Sequence, residues 1–172
     1  MKTRISFLLL FSLSIFIIQC DDGNNDFIRR DYTTVPAPFS IEGATKDTTE
    51  SGVIYYDIQE GSGELAIQTR DDVSFHFTAW QRNITTIDNI IGSTYEDGST
   101  ETTGFVSIFN FQVVDTRFTT IGSNKLRINT PYMAEGVVGM KEGGKRVLIF
   151  PPEFNNSGDT IRVDFELVEI AY

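Results

Sequence analysis

The pattern of apolar and polar positions changes character along this chain. Residues 5–18 are continuously apolar apart from three serines, and residues 21–49 are polar and acidic with little periodicity. From Gly52 onward apolar positions recur at every second residue, the period of a β-strand. Val73, Phe75, Phe77 and Ala79 share one face of a predicted strand at 73–80. In another, at 160–170, Ile161, Val163, Phe165 and Leu167 alternate with Arg162, Asp164 and Glu166, which predicts one buried face and one wet face. Residues 53–58 read as a strand stopped by the turn Glu60-Gly61-Ser62-Gly63, and further strands are expected at 91–95, 105–115 and 145–150. Only residues 132–140 read as helix, with Pro131 suited to a first helical position and Gly139 or Gly143 to its end. One helix of under three turns cannot supply repeated crossovers. It must cover one face of a mostly antiparallel sheet, which is an α+β arrangement.

The apolar run has the form of a secretory signal, with Lys2 and Arg4 ahead of it, and it is short for a membrane span. Cys20 follows directly, in Ile17-Ile18-Gln19-Cys20, and opens the acidic stretch that begins Asp21-Asp22. This arrangement resembles a bacterial lipobox, whose cysteine is acylated and becomes the new N-terminus; Gln19 departs from the small residue usual before that cysteine. A free thiol is an odd residue to retain in an oxidising compartment, whereas a lipidated one has a purpose. The competing reading is an uncleaved N-terminal anchor. The expected organisation is a lipoprotein signal peptide at 1–19, a flexible tether at 20–49 and one β-rich domain at 50–172. The expected location is the bacterial cell envelope, outside the cytoplasm, with the membrane as a partner through lipidated Cys20. Phe27, Ile28 and Tyr32 are the tether residues able to pack back on the domain.

Charge and composition narrow the chemistry. The formal net charge is −10, from 14 basic and 24 acidic residues, and cleaving a signal would remove Lys2 and Arg4 but no acid. Such a surface repels phosphate backbones, so nucleic acid is not an expected partner. A single cysteine forms no internal disulfide, and the single histidine, His76, sits mid-strand with no cluster at metal-ligand spacing. No cofactor is implied.

Several blocks in order carry a resemblance. They are Gly52-Val53-Ile54-Tyr55-Tyr56 with Glu60-Gly61-Ser62-Gly63; Asp72-Val73-Ser74-Phe75-His76-Phe77-Thr78-Ala79; and Gly92-Ser93-Thr94-Tyr95-Glu96. The strongest runs from Glu135-Gly136 through Met140, Gly143 and Arg146 to Phe150-Pro151-Pro152-Glu153-Phe154. Val163-Asp164-Phe165-Glu166-Leu167 closes the series. Together they resemble the FKBP-type peptidyl-prolyl cis-trans isomerases from about Gly52 to Tyr172. The resemblance implies an antiparallel sheet wrapped against one short helix and an activity on proline-containing polypeptides. An X-Pro bond has a trans preference of only about 0.5–1 kcal/mol but a barrier near roughly 18–20 kcal/mol. A dry aromatic pocket favours the twisted amide, so no nucleophile or metal is needed.

The resemblance assigns the pocket to Phe77, Tyr95, Glu96 (or its neighbour Asp97), Met133, Phe154 and Val163, with Phe109 or Phe111 as a wall residue. It also has departures. Residues 100–127 form an insertion. Asn129-Thr130 replaces an apolar pair whose backbone receives substrate. The flap is cut to Asn155-Asn156-Ser157-Gly158-Asp159, with Asn156 near the place of a substrate-binding tyrosine. Two functions are expected in consequence: a weak isomerase assisting folding of extracytoplasmic proteins or, alternatively, a non-catalytic FKBP-like binding or chaperone module in an envelope assembly.

Overall fold

A computed structural model describes residues 30–113, 115, 128 and 131–171. Among them are seven strands: β1 (Thr45–Thr48), β2 (Ile54–Gln59), β3 (Asp72–Gln81), β4 (Ile90–Ser93), β5 (Val106–Ser107), β6 (Lys145–Phe150) and β7 (Ile161–Ile170). One α-helix, α1 (Tyr132–Val137), joins them. The sheet order is β1-β2-β6-β7-β3-β4 with every pair antiparallel, and β5 pairs with the start of β3. The α+β arrangement expected from the sequence is therefore the one observed.

The period-two pattern places Ile161, Val163, Phe165 and Leu167 of β7 on the face toward α1, where each is fully buried. Phe75, Leu148 and Phe150 join them from β3 and β6, with Met133, Ala134 and Val137 from the helix. Each large side chain so buried contributes about 1.5–3 kcal/mol relative to exposure. Helix and sheet approach closely because position 136 is glycine: a Cβ there would lie 3.0 Å from Leu148 Cδ2 and 3.5 Å from Val53 Cγ1. Gly61 permits a similar approach of backbones, since a Cβ would meet Lys141 O at 2.2 Å.

Arg146 fastens this layer. Its Nη1 donates to Gly136 O at 2.9 Å and Val138 O at 3.2 Å, at the end of α1. Nε donates to Asp57 Oδ1 of β2 at 2.7 Å, and the guanidinium lies 4.3 Å from the Tyr55 ring centre. The helix stops at Val137, short of the expected 140, as these carbonyls turn to Arg146 and Gly139 donates its N–H to Ile67 O. The expected strand at 105–115 shortens to β5, because a turn after Ser107 brings Ile108 and Val113 inward to the core.

The sheet's other face departs from expectation. β7 was expected to have a wet face, yet Arg162 and Asp164 are buried there. Residues 30–49, expected to be flexible, lie across that face and end in β1, paired with β2. Phe39 N–H donates to Asp164 Oδ2 at 2.6 Å, and Arg162 Nη2 donates to Phe39 O at 2.6 Å. Arg162 also binds Asp164 at 2.7 Å, while Tyr32, Trp80 and Ile90 form a second apolar cluster backed by Val35. Burial pushes Asp164 above the usual carboxylate range, against the opposing pull of Arg162 and the Phe39 N–H. The Phe39 backbone thus pairs on both sides with buried side chains of β7. Residues 20–29, with Cys20, Phe27 and Ile28, lie outside the described residues. Among the described residues no helix is long and apolar enough to cross a membrane.

Replacing Arg146 with methionine is expected to lower unfolding free energy by about 2–4 kcal/mol, because the buried Gly136 carbonyl and the part-buried Val138 carbonyl lose their donor. Asp57 is half exposed and rehydrates. Urea unfolding should show a lower midpoint at unchanged slope.

Candidate functional site

The candidate site lies at the outer edge of β3, where its partner changes from β4 to the segment that leads into β5. Thr94 N–H donates to Phe77 O at 3.0 Å, continuing the β4 ladder, and Thr103 N–H donates to Phe75 O at 3.0 Å, leading into β5. The intervening residues 96–101 bulge away, turning through Asp97 at φ 55°. The depression so formed has a volume of about 480 Å³, with Phe77 and Phe111 as its apolar wall. Ser93, Thr94, Ser99 and Thr102 present hydroxyls to it, and Glu96, Asp97 and Glu101 present carboxylates.

The two phenylalanines are held by packing. Phe111 meets Phe75 edge-on at 4.8 Å and Phe77 at 5.4 Å, and Phe75 stacks on Phe165 at 4.4 Å. Phe111 is thus the wall residue of the two candidates; Phe109 lies instead beneath the Arg70 guanidinium, 5.5 Å away. Phe77 is half-buried, with its amide donating to Thr94 Oγ1 at 3.1 Å.

Of the residues assigned by resemblance, the structure gathers Phe77 and Glu96 at this depression, with Asp97 beside them. Met133 and Val163 are fully buried in the core. Phe154 is buried too, edge-on to Tyr132 at 4.3 Å. Tyr95 turns to the sheet's opposite face, where its ring stacks on His76 at 4.8 Å in a smaller hollow under Pro36 and Phe39. Burial raises the Tyr95 phenol above its ordinary pKa, reinforced by Glu166. The shortened flap is held by Asn155, which donates to Pro151 O and to Asp159 O at 2.8 Å and pairs its backbone with Ile128. Asn156 is exposed, and Asn129 and Thr130 lie outside the described residues.

Sequence reasoning missed Arg30, which no spacing rule connects to residue 97. Its Nη1 donates to Asp97 Oδ2 at 2.8 Å, and its Nε stands 3.8 Å from Glu96 Oε1. Asp97 Oδ1 also accepts the Asp31 N–H at 2.8 Å. That backbone hydrogen bond, followed by Arg30, holds Asp97 below the usual carboxylate range; Asp31 is lowered by hydrogen bonds from Thr33. A lowered folded pKa gives stabilisation that is present above the unfolded value, near about 3.9, and is lost as pH falls through the folded one. Acidification through about pH 4 and below is therefore expected to detach residues 30–34, seen as loss of the Asp31 and Asp97 amide shifts by NMR. An Asp97→Asn variant should show the detached spectrum at neutral pH.

No protein-family model matches the chain, and no curated protein matches it. Solved structures do. FkpA from Escherichia coli shares 21% identity at TM-score 0.50, covering 73% of this chain and 51% of that one. A multi-domain immunophilin from Arabidopsis thaliana shares 14% at TM-score 0.53, covering 78% and 48%. This chain thus spans about half the length of either. The N-terminal domain of FKBP42 from the same plant shares 15% at TM-score 0.49, covering 81% and 99%. The antiparallel sheet, the single short helix among the described residues and the likenesses to FkpA and the immunophilin together show that the chain has the FKBP-type fold.

Proposed function

We propose that this protein is an FKBP-type peptidyl-prolyl cis-trans isomerase of slow turnover, anchored in a bacterial envelope through Cys20 and acting on proline-containing polypeptides outside the cytoplasm. The observation that carries the reading is the Phe77–Phe111 wall, which meets a solvent-reachable depression beside Glu96. A proline ring laid against that wall loses water from around its amide. Planar amide resonance depends on charge separation that water stabilises, so drying favours the twisted state. Turnover is slow in this reading because hydroxyl- and carboxylate-bearing residues make up most of the remaining described lining, and among the described residues no apolar lid stands over it. The anchoring half of the proposal is supported by Lys2 and Arg4, the apolar run and the place of Cys20.

A second reading, a binding module without turnover, is favoured by two observations. Tyr95 faces away from the depression, and the flap is closed on itself by Asn155. Either function uses the same wall.

The full chain is expected to accelerate isomerisation of an Ala-Leu-Pro-Phe peptide above the uncatalysed rate. Phe77→Ala should cut kcat/KM by about tenfold or more, equivalent to about 1.4 kcal/mol of transition-state stabilisation. Tyr95→Ala should instead cost about 1 kcal/mol of folding stability through the lost His76 stack and leave most of the turnover. A well-folded wild-type chain without catalysis would leave the binding-module reading. In a bacterial host, Cys20→Ser is expected to move the protein from the membrane fraction to the soluble one; unchanged fractionation would overturn the lipid anchor.

A further inference from the structure

We infer that the candidate site works at the bilayer surface, on proline-containing segments of polypeptides held at the same membrane. This deepens the proposed function and rests on both its parts, the anchor at Cys20 and the peptide site at Phe77. The new element is the distance between them. By sequence, residues 20–49 lie between lipid and domain as a long tether. In the structure the chain is fastened to the domain much earlier. Asp31 N–H donates to Asp97 Oδ1 at 2.8 Å, and Asp97 N–H donates back to Asp31 O at 2.7 Å. Thr34 Oγ1 donates to Tyr95 O at 3.0 Å, and the Phe39 and β1 contacts continue the attachment.

The leash is therefore the stretch from Cys20 to Arg30, 10 positions. An extended chain spans at most about 3.6 Å per residue, so Arg30 lies within about 36 Å of the acylated residue on any path. Arg30 also lines the depression walled by Phe77 and Phe111. The last fixed point of the leash is thus the rim of the site, which stays within that reach however the domain turns. Charge does not draw the domain to the lipid: 24 acidic residues against 14 basic ones offer anionic headgroups little attraction. The leash sets the height, and the partner is a polypeptide at the surface, not the lipid itself. Two molecules held to one bilayer meet at an effective concentration that falls roughly as the −3/2 power of leash length. A leash a third as long as the 20–49 tether raises that concentration about fivefold. A freely diffusing chain gains nothing from it.

The test uses the full acylated chain, purified from bacterial membranes and reconstituted in phosphatidylcholine vesicles. Its substrate is an Ala-Leu-Pro-Phe nitroanilide, either free or coupled to a lipid headgroup through a Gly-Ser spacer of about ten residues. Isomerisation is read by chymotrypsin, which cleaves the trans form. Binding is read by quenching of a dye on Thr100→Cys, the one free thiol once Cys20 is acylated. The lipid-held peptide is expected to be turned over about tenfold or more faster than the free one at equal concentration. Inserting about 20 Gly-Ser residues after Asn25 should reduce that advantage about fivefold. The Cys20→Ser chain, left in solution, should treat both peptides alike. Equal action on both peptides by vesicle-bound protein overturns the inference and leaves the anchor and the isomerase standing. An advantage unchanged by the insertion overturns the short leash. A chain that does not stay on the vesicles overturns the anchor, and the inference with it. Preferential binding of the lipid-held peptide without turnover overturns the isomerase reading and supports the placement.

Discussion

Arg146 is the contact on which the rest of the architecture depends. A helix of six residues has more unpaired end groups than internal hydrogen bonds, so by itself it has no stability in water. The guanidinium takes two of its terminal carbonyls, ties them to Asp57 on β2, and lies over Tyr55. A planar fork with several donors is required for that geometry, and a lysine does not provide it. With the helix end fixed, Gly136 lets it settle against Leu148 and Val53, and the core closes beneath. The turns at 60–63 and 141–144 then lock backbone to backbone.

The sheet's second face is closed by a different means. Residues 30–48 bring Tyr32, Val35 and Phe39 over Trp80, Arg162 and Asp164. A buried arginine–aspartate pair is costly unless its remaining donors and acceptors are met, and the Phe39 backbone meets them on both sides. The same strap carries Arg30 to the depression at the β3 edge. One segment therefore lies across the outer face and brings a guanidinium to the candidate site.

That site is built by interruption. Where the chain bulges away between β4 and the 102–107 segment, Phe77 reaches the surface with Phe111 beside it. Chemistry that needs a dry amide is served by this wall and opposed by the polar rim.

Much of this was legible in the residues. The two-residue period of 73–80 and 160–170, the single short helix after Pro131 and the Glu135–Arg146 block led to an α+β domain of FKBP type, and those features hold in the structure. They were legible because strand period, helix start and turn glycines are set by neighbours a few residues apart. The assignments that moved depend on partners far away. β7's polar face reads as wet until residues 35–40 are laid on it, and the 30–49 stretch reads as tether because its own periodicity is weak. Tyr95 reads as a pocket residue until His76 and Phe39 offer a slot on the other side of the sheet, and Arg30 has no local signal that ties it to Asp97. The sequence alone decided the strands β2, β3, β6 and β7 and which face of the long β3 and β7 is apolar, because that pattern is local. Only the tertiary structure decided what covers the second face and which side chains line the depression, because those choices rest on contacts between residues tens to more than a hundred positions apart.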